Sequence, residues 1–148
     1  MKKLLYLVHR LPFPPNKGDK ISSNNMLNYF CARWRVHLGT FIDDPDDWQY
    51  ADAVRNKCED SCIVDLPKSK RLTGSLRGLL TGQALSLSYY GNNELQEWVR
   101  ACIARECPDA VLIFSGVMGR FVKGLLPAHV PVVFDAEDVD SEKWRSFA

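Results

Sequence analysis

The sequence predicts an α/β fold, an open parallel sheet with helices on both faces, and three observations predict it. Short continuous apolar runs such as Leu4-Leu5-Tyr6-Leu7-Val8 and Ala110-Val111-Leu112-Ile113-Phe114 read as strands buried on both faces. Between such runs lie segments whose apolar residues recur at helical spacing, most clearly Leu95, Trp98, Val99, Cys102 and Ile103. The two kinds of segment alternate, which is the order of βαβ units with right-handed crossovers. The 148 residues suit a single domain over 1–148.

Taken in order, residues 3–8 form the first strand, and a loop rich in Pro12, Pro14, Pro15 and Gly18 follows. Asp19 stands in the N-cap position of a helix over 20–33, whose Met26, Leu27, Phe30, Cys31 and Trp34 share a face. A second strand is expected over 36–42. Asp46 or Asp47 opens a polar helix reaching 57, and 61–66 is a third strand. Over 68–82, Leu72, Leu76, Leu79 and Leu80 share a helical face, but Gly74, Gly78 and Gly82 interrupt it. Each glycine costs about 1 kcal/mol relative to alanine, so this helix is weak or broken. The helix over 93–106 ends before Pro108, and 110–114 is a strand. Ser115-Gly116 opens a short helix to 126, and 130–134 is a further strand. Asp140 then caps a helix beginning at Ser141, only about two turns before Ala148. The expectation is that the native chain continues into another domain.

Composition excludes several classes. Lys and Arg total 19 against 18 acidic residues, so no global nucleic-acid signature exists. The N-terminal apolar run is too short for a signal peptide and is followed by His9, Arg10 and prolines, which leads to the expectation of a cytoplasmic protein. Five cysteines (Cys31, Cys58, Cys62, Cys102, Cys107) form neither a disulfide framework nor a zinc-finger pattern and read as reduced thiols.

In an open parallel sheet, ligands bind beyond the carboxyl ends of the strands. At the first exit, a long loop ends in Lys17-Gly18-Asp19-Lys20 at a helix N-terminus. Free N–H groups, the helix dipole and two lysines fit a phosphate or a sugar hydroxyl. A proline-stiffened surface loop with Asp19 as a cap fits equally. At the second exit, Ser115-Gly116 offers a hydroxyl and an N–H to a ligand, or serves only as a cap. At the third, Asp135, Glu137, Asp138 and Asp140 read as acid–base or metal-binding carboxylates, or as caps and solvated charges. Lys68, Lys70, Arg71 and Arg77, beside the leucine face, suit anionic lipid headgroups or a solvated edge helix. Neither GxGxxG nor GxxxxGK[ST] occurs, which counts against dinucleotide and P-loop sites.

Leu7-Val8-His9-Arg10-Leu11-Pro12-Phe13-Pro14-Pro15-Asn16-Lys17-Gly18-Asp19-Lys20-Ile21 resembles the opening of bacterial family 4 (group 1) glycosyltransferases, most of all the sugar transferases of exosortase/PEP-CTERM exopolysaccharide systems. Phe114-Ser115-Gly116-Val117-Met118 and the stretch from Asp135 to Trp144 are similar to the same group. Two positions depart from it: Ser22 stands where a basic residue is expected, and Ser115 where many wider members have histidine. The resemblance implies the Rossmann-like N-terminal domain of a two-domain GT-B enzyme, a retaining transferase with its active site in the cleft between domains. It further implies that Lys17, Gly18, Asp19 and Lys20 approach the donor phosphate or acceptor, and that Ser115, Gly116 and Asp138 line the acceptor pocket. The nucleotide-sugar is a co-substrate held mostly by a C-terminal domain carrying an acidic E-x7-E motif, and no metal or other cofactor is expected. A glycan or lipid-linked acceptor is implied, with peripheral membrane contact through Lys68, Lys70, Arg71 and Arg77. Two other classes remain open on the residues: a phospho-receiver domain using Asp65, and a free-standing nucleotide- or partner-binding module.

Overall fold

The computed structural model describes residues 1–66 and 90–136. Five strands, β1 (Lys3–Val8), β2 (Arg35–Ile42), β3 (Asp60–Asp65), β4 (Ala110–Phe114) and β5 (Val132–Asp135), form one sheet in the order β3-β2-β1-β4-β5. Every pairing is parallel. The fold is therefore the open Rossmann-like α/β sheet that the alternation predicts. From β1 the chain moves outward through β2 and β3, then returns to place β4 on the other side of β1. That reversal makes the carboxyl ends of β1 and β4 the switch point, where open α/β sheets bind their ligands.

Both faces are covered, so β1 has no polar alternation. Leu4, Tyr6 and Val8 pack on one face with Leu27 of α1 (Gly18–Cys31) and with Ala51 and Val54 of α2 (Ala51–Arg55). Leu5 and Leu7 pack on the other with Leu95, Val99 and Cys102 of α3 (Asn93–Glu106). At ~25 cal/mol per Å² of apolar area removed from water, these two layers supply the main drive for folding. Asn92 caps α3 by accepting from the Leu95 N–H at 2.9 Å, and Cys107 ends it in the left-handed conformation at φ 47°. β5 is an edge strand on which Val132, Val133 and Phe134 remain 46%, 57% and 52% exposed.

Three local expectations need correction. α1 begins at Gly18 with Lys17 in the cap position, and Lys17 makes no side-chain cap bond. Asp19 lies inside the first turn, where its carboxylate pairs with Arg10 and approaches the His9 ring at the β1 exit. The polar helix predicted from Asp46 or Asp47 divides into a 3₁₀ segment, Pro45–Tyr50, and the short α2. Its cap is Asp44, which accepts from the Asp46 N–H at 3.2 Å, with Pro45 setting the first turn. The helix expected after Ser115 is a 3₁₀ segment, Gly116–Phe121. Asp140, the helix it was expected to cap, and the leucine-faced segment at 68–82 lie outside the described residues.

Candidate functional site

Strand order brings the three predicted exits side by side. β1, β4 and β5 are neighbours, with Val8 paired to Phe114 and Phe114 to Asp135. The Ser115 N–H donates to the Asp135 carbonyl at 2.9 Å, which ties the second exit to the third. The loop after β1 is held on its other side, where the Leu11 N–H donates to the Phe41 carbonyl at 2.8 Å. Residues more than a hundred positions apart thus come side by side at the switch point because the sheet reverses there.

His9 is the first residue beyond β1. Its ring stacks on Phe114, with centroids 6.1 Å apart and planes 4° from parallel, and meets Tyr90 edge-on at 6.3 Å. Its Nε2 lies 3.4 Å from the Asp19 carboxylate. Arg10 approaches the same oxygen of Asp19 at 3.0 Å and reaches Asp43, beyond β2, at 3.2 Å. Asp19 therefore serves two partners and fixes the α1 N-terminus against the β1 exit.

Burial lowers the His9 pKa from its ordinary value, and the neighbouring Arg10 cation lowers it further, against the pull of Asp19 and Asp43. The imidazole is thus neutral at pH 7. Asp19 favours the proton on Nε2, which leaves Nδ1 as an acceptor. Nδ1 is buried and finds no hydrogen-bond partner among the described residues. A buried acceptor in a crevice at the switch point suits a ligand hydroxyl or N–H.

The lysines separate. Lys20 is 1% exposed and paired with Asp47, so its charge is spent inside the fold, holding α1 to the 3₁₀ segment. Lys17 and Gly18 are exposed. The first bond of the helix runs from the Ile21 N–H to the Lys17 carbonyl at 2.8 Å, so the N–H groups of Gly18, Asp19 and Lys20 lie ahead of the intrahelical ladder. A Cβ at Gly18 would meet nothing within 4 Å, so no packing among the described residues demands glycine there. Ser115 is half-buried, makes no side-chain cap bond and adopts φ 77°, a region that costs a non-glycine residue about 1–3 kcal/mol. Strain of that kind at a strand exit is a common mark of functional sites. Gly116 follows, exposed, with the Phe134 ring close by. Asp138 and the basic residues Lys68, Lys70, Arg71 and Arg77 lie outside the described residues.

In the sequence His9 and Arg10 fall in the loop after β1, but the pattern points to Lys17, Gly18, Asp19 and Lys20 and nothing in it connects Asp43. A His-Arg pair directly at a strand exit was an available signal. Its pairing with Asp19 was not, because that depends on how α1 is turned over the sheet. Among the described residues, no group of three His, Cys, Asp or Glu side chains is arranged to hold a metal ion, and no helix is long and apolar enough to cross a membrane. No protein-family model matches the chain, and no curated protein matches it.

Proposed function

We propose that the chain is the acceptor-side domain of a retaining GT-B glycosyltransferase that moves a sugar from a nucleotide-sugar to a glycan or lipid-linked acceptor. The observation that carries this reading is the convergence of its three motif-bearing exits, after β1, β4 and β5, on one crevice. The N–H groups of Gly18, Asp19 and Lys20 lie ahead of the intrahelical ladder beside exposed Lys17, which suits the diphosphate of a leaving nucleotide. In this proposal Gly18 and Asp19 approach donor or acceptor, and neutral His9 accepts a hydrogen bond from a sugar hydroxyl through Nδ1. Arg10 and Asp19 hold the imidazole in place, while Ser115, Gly116 and Asp138 line the acceptor pocket. Lys20 acts from within, by orienting α1. The donor is bound mostly by a second domain, no catalytic metal takes part, and Lys68, Lys70, Arg71 and Arg77 rest on the inner membrane face.

Strand order bears on the phospho-receiver alternative. β3 is an edge strand separated from β1 by β2, so Asp65 at its end is not beside the β1 exit. That exit carries His9 and Arg10 instead of the acidic pair needed for magnesium. The receiver-like order 2-1-3 would have made β3 a neighbour of β1.

The test is a product assay of the complete native reading frame with a panel of nucleotide-sugars and glycan or lipid-linked acceptors. Transfer is expected to persist in a metal chelator and to fall at least tenfold in His9→Ala. The absence of an E-x7-E-bearing α/β domain after Ala148 overturns the proposal, as does full activity of His9→Ala.

A further inference from the structure

The aspartate-rich stretch after β2 divides its carboxylates among separate tasks. Asp44 caps the 3₁₀ segment by accepting from the Asp46 N–H, Asp47 is buried against Lys20, and Asp46 is exposed. Asp43, the first residue beyond β2, instead meets Arg10 at 3.2 Å. That meeting follows from the sheet. β2 lies beside β1, and the 2.8 Å bond from the Leu11 N–H to the Phe41 carbonyl draws the loop after β1 over the end of β2.

The contacts continue in a line. Arg10 Nη1 lies 3.0 Å from Asp19 Oδ2, and the same oxygen lies 3.4 Å from His9 Nε2. Asp43, Arg10, Asp19 and His9 thus form one chain of groups across the β2 exit, the β1 exit and α1. Arg10 Nε stands within ion-pair distance of Asp43 without the alignment of a hydrogen bond, and Asp43 Oδ1 is buried with no hydrogen-bond partner among the described residues. Charge therefore makes this link. None of the four side chains is more than 25% exposed, so solvent screens the chain incompletely.

We propose that Asp43 is a positioning residue for His9: by holding Arg10 from the far side, it leaves Asp19 free to keep the imidazole proton on Nε2 and Nδ1 open as an acceptor. The inference rests on the ligand contact given to His9 in the transferase reading, although the linkage itself is measurable without any substrate. Its physical basis is competition. A guanidinium is a planar fork of donors that matches a carboxylate at two points. Arg10 turns Nη1 to Asp19 and Nε to Asp43, so each aspartate holds one side of the fork. Without the Asp43 charge, the whole cation bears on Asp19 and competes with the imidazole for Oδ2. Phe114 stacks on the His9 ring and Tyr90 meets it edge-on, which fixes the plane of the ring, whereas the tautomer depends on what its nitrogens meet. Burial and Arg10 lower the His9 pKa, and Asp19 and Asp43 raise it. Removing Asp43 and removing Arg10 therefore act on His9 in opposite directions.

The experiment is long-range proton–nitrogen NMR of the isotope-labelled 148-residue chain, with His9→Ala assigning the His9 ring signals. Above its titration range, His9 in the parent is expected to show a protonated Nε2 and a bare Nδ1. Asp43→Asn keeps the shape and removes the charge; Asp43→Ala serves if the asparagine variant fails to fold. The expected result is a mixture of the two tautomers and a titration midpoint below the parent's. In Arg10→Gln the Nε2–H form is kept and the midpoint rises. In the complete native reading frame, the acidic limb of the kcat/KM profile against pH moves with these midpoints, and Asp43→Asn loses about tenfold in kcat/KM at its plateau. The inference is overturned if Asp43→Asn keeps the parent's tautomer, if its midpoint rises as in Arg10→Gln, or if the acidic limb stays in place while the midpoints move. Absence of any sugar transfer by the complete frame sinks the transferase reading instead, because the NMR result does not depend on turnover.

Discussion

The Lys20 ammonium is buried against the Asp47 carboxylate, joining the first turn of α1 to the 3₁₀ segment after β2. Breaking a buried ion pair from one side leaves an uncompensated charge, at a cost of about 3–5 kcal/mol. Lys20→Met and Asp47→Asn are each expected to lose stability on that scale in urea denaturation. Lys20→Met/Asp47→Leu should recover most of the loss, because neither charge is then stranded. Lys17→Ala, at an exposed site, should stay within about 0.5 kcal/mol of the parent.

Asp19 is the group that pulls the His9 pKa upward most strongly, against burial and Arg10. Asp19→Asn removes that charge, so the His9 titration midpoint should move further down. Histidine NMR across the acid range checks this. An unchanged midpoint would show that the 3.4 Å approach carries no electrostatic weight.

Stability should fall as pH drops below about 6.5, the unfolded-state histidine pKa. His37, in β2, is 1% exposed, and neither of its ring nitrogens has a hydrogen-bond partner among the described residues. Burial lowers its pKa; Glu106, Asp60 and Glu59 pull the other way, and Lys3 adds to the lowering. His9 is lowered as well, by burial foremost. For both groups the unfolded chain binds more protons below pH 6.5, so acid favours unfolding. Melting temperature should therefore be lower at pH 5.5 than at 7.5, and His37→Leu should flatten that slope. A second loss is expected as pH falls from about 4.5 toward 2, where Glu106 is protonated. Hydrogen bonds from Arg105 and Lys3 hold its carboxyl down to about 2.

Gly39 in β2 faces α3, where a Cβ would stand 2.7 Å from Leu7 Cδ2, 3.1 Å from Leu95 Cδ1 and 3.3 Å from the Trp98 ring. Leu7 and Leu95 are fully buried and have little room to move. Gly39→Ala should cost about 1–3 kcal/mol through overpacking, despite adding β propensity. Equilibrium denaturation measures it, and a neutral result would mean that the α3 face repacks freely.

Strand runs and α3 were legible because burial imprints a local pattern: a parallel strand covered on both faces is continuously apolar, and a half-buried helix repeats every 3.6 residues. Lys3–Val8 and Asn93–Glu106 match their expected bounds for this reason. The candidate site was legible only as strand exits. Asp19 meets His9 and Arg10 at the β1 exit, whereas Lys20 turns inward to Asp47. A short-range pattern does not say which of two adjacent lysines faces a buried aspartate supplied from beyond another strand. The α1 cap is hidden for the same reason, since Asp19 has the right identity for a cap but pairs with Arg10.

By itself, then, the sequence determined the alternation of strands and helices, their two-sided burial and the positions of the exits, all of which depend on residues within a few turns of one another. Tertiary structure decided the order β3-β2-β1-β4-β5, and with it the gathering of the β1, β4 and β5 exits into one crevice. It also decided the partners of Asp19 and Lys20. The physical reason is range. Local periodicity reports which face of an element is dry, but which distant side chain completes a charge or a ring contact depends on sheet order and on how each helix is turned over it.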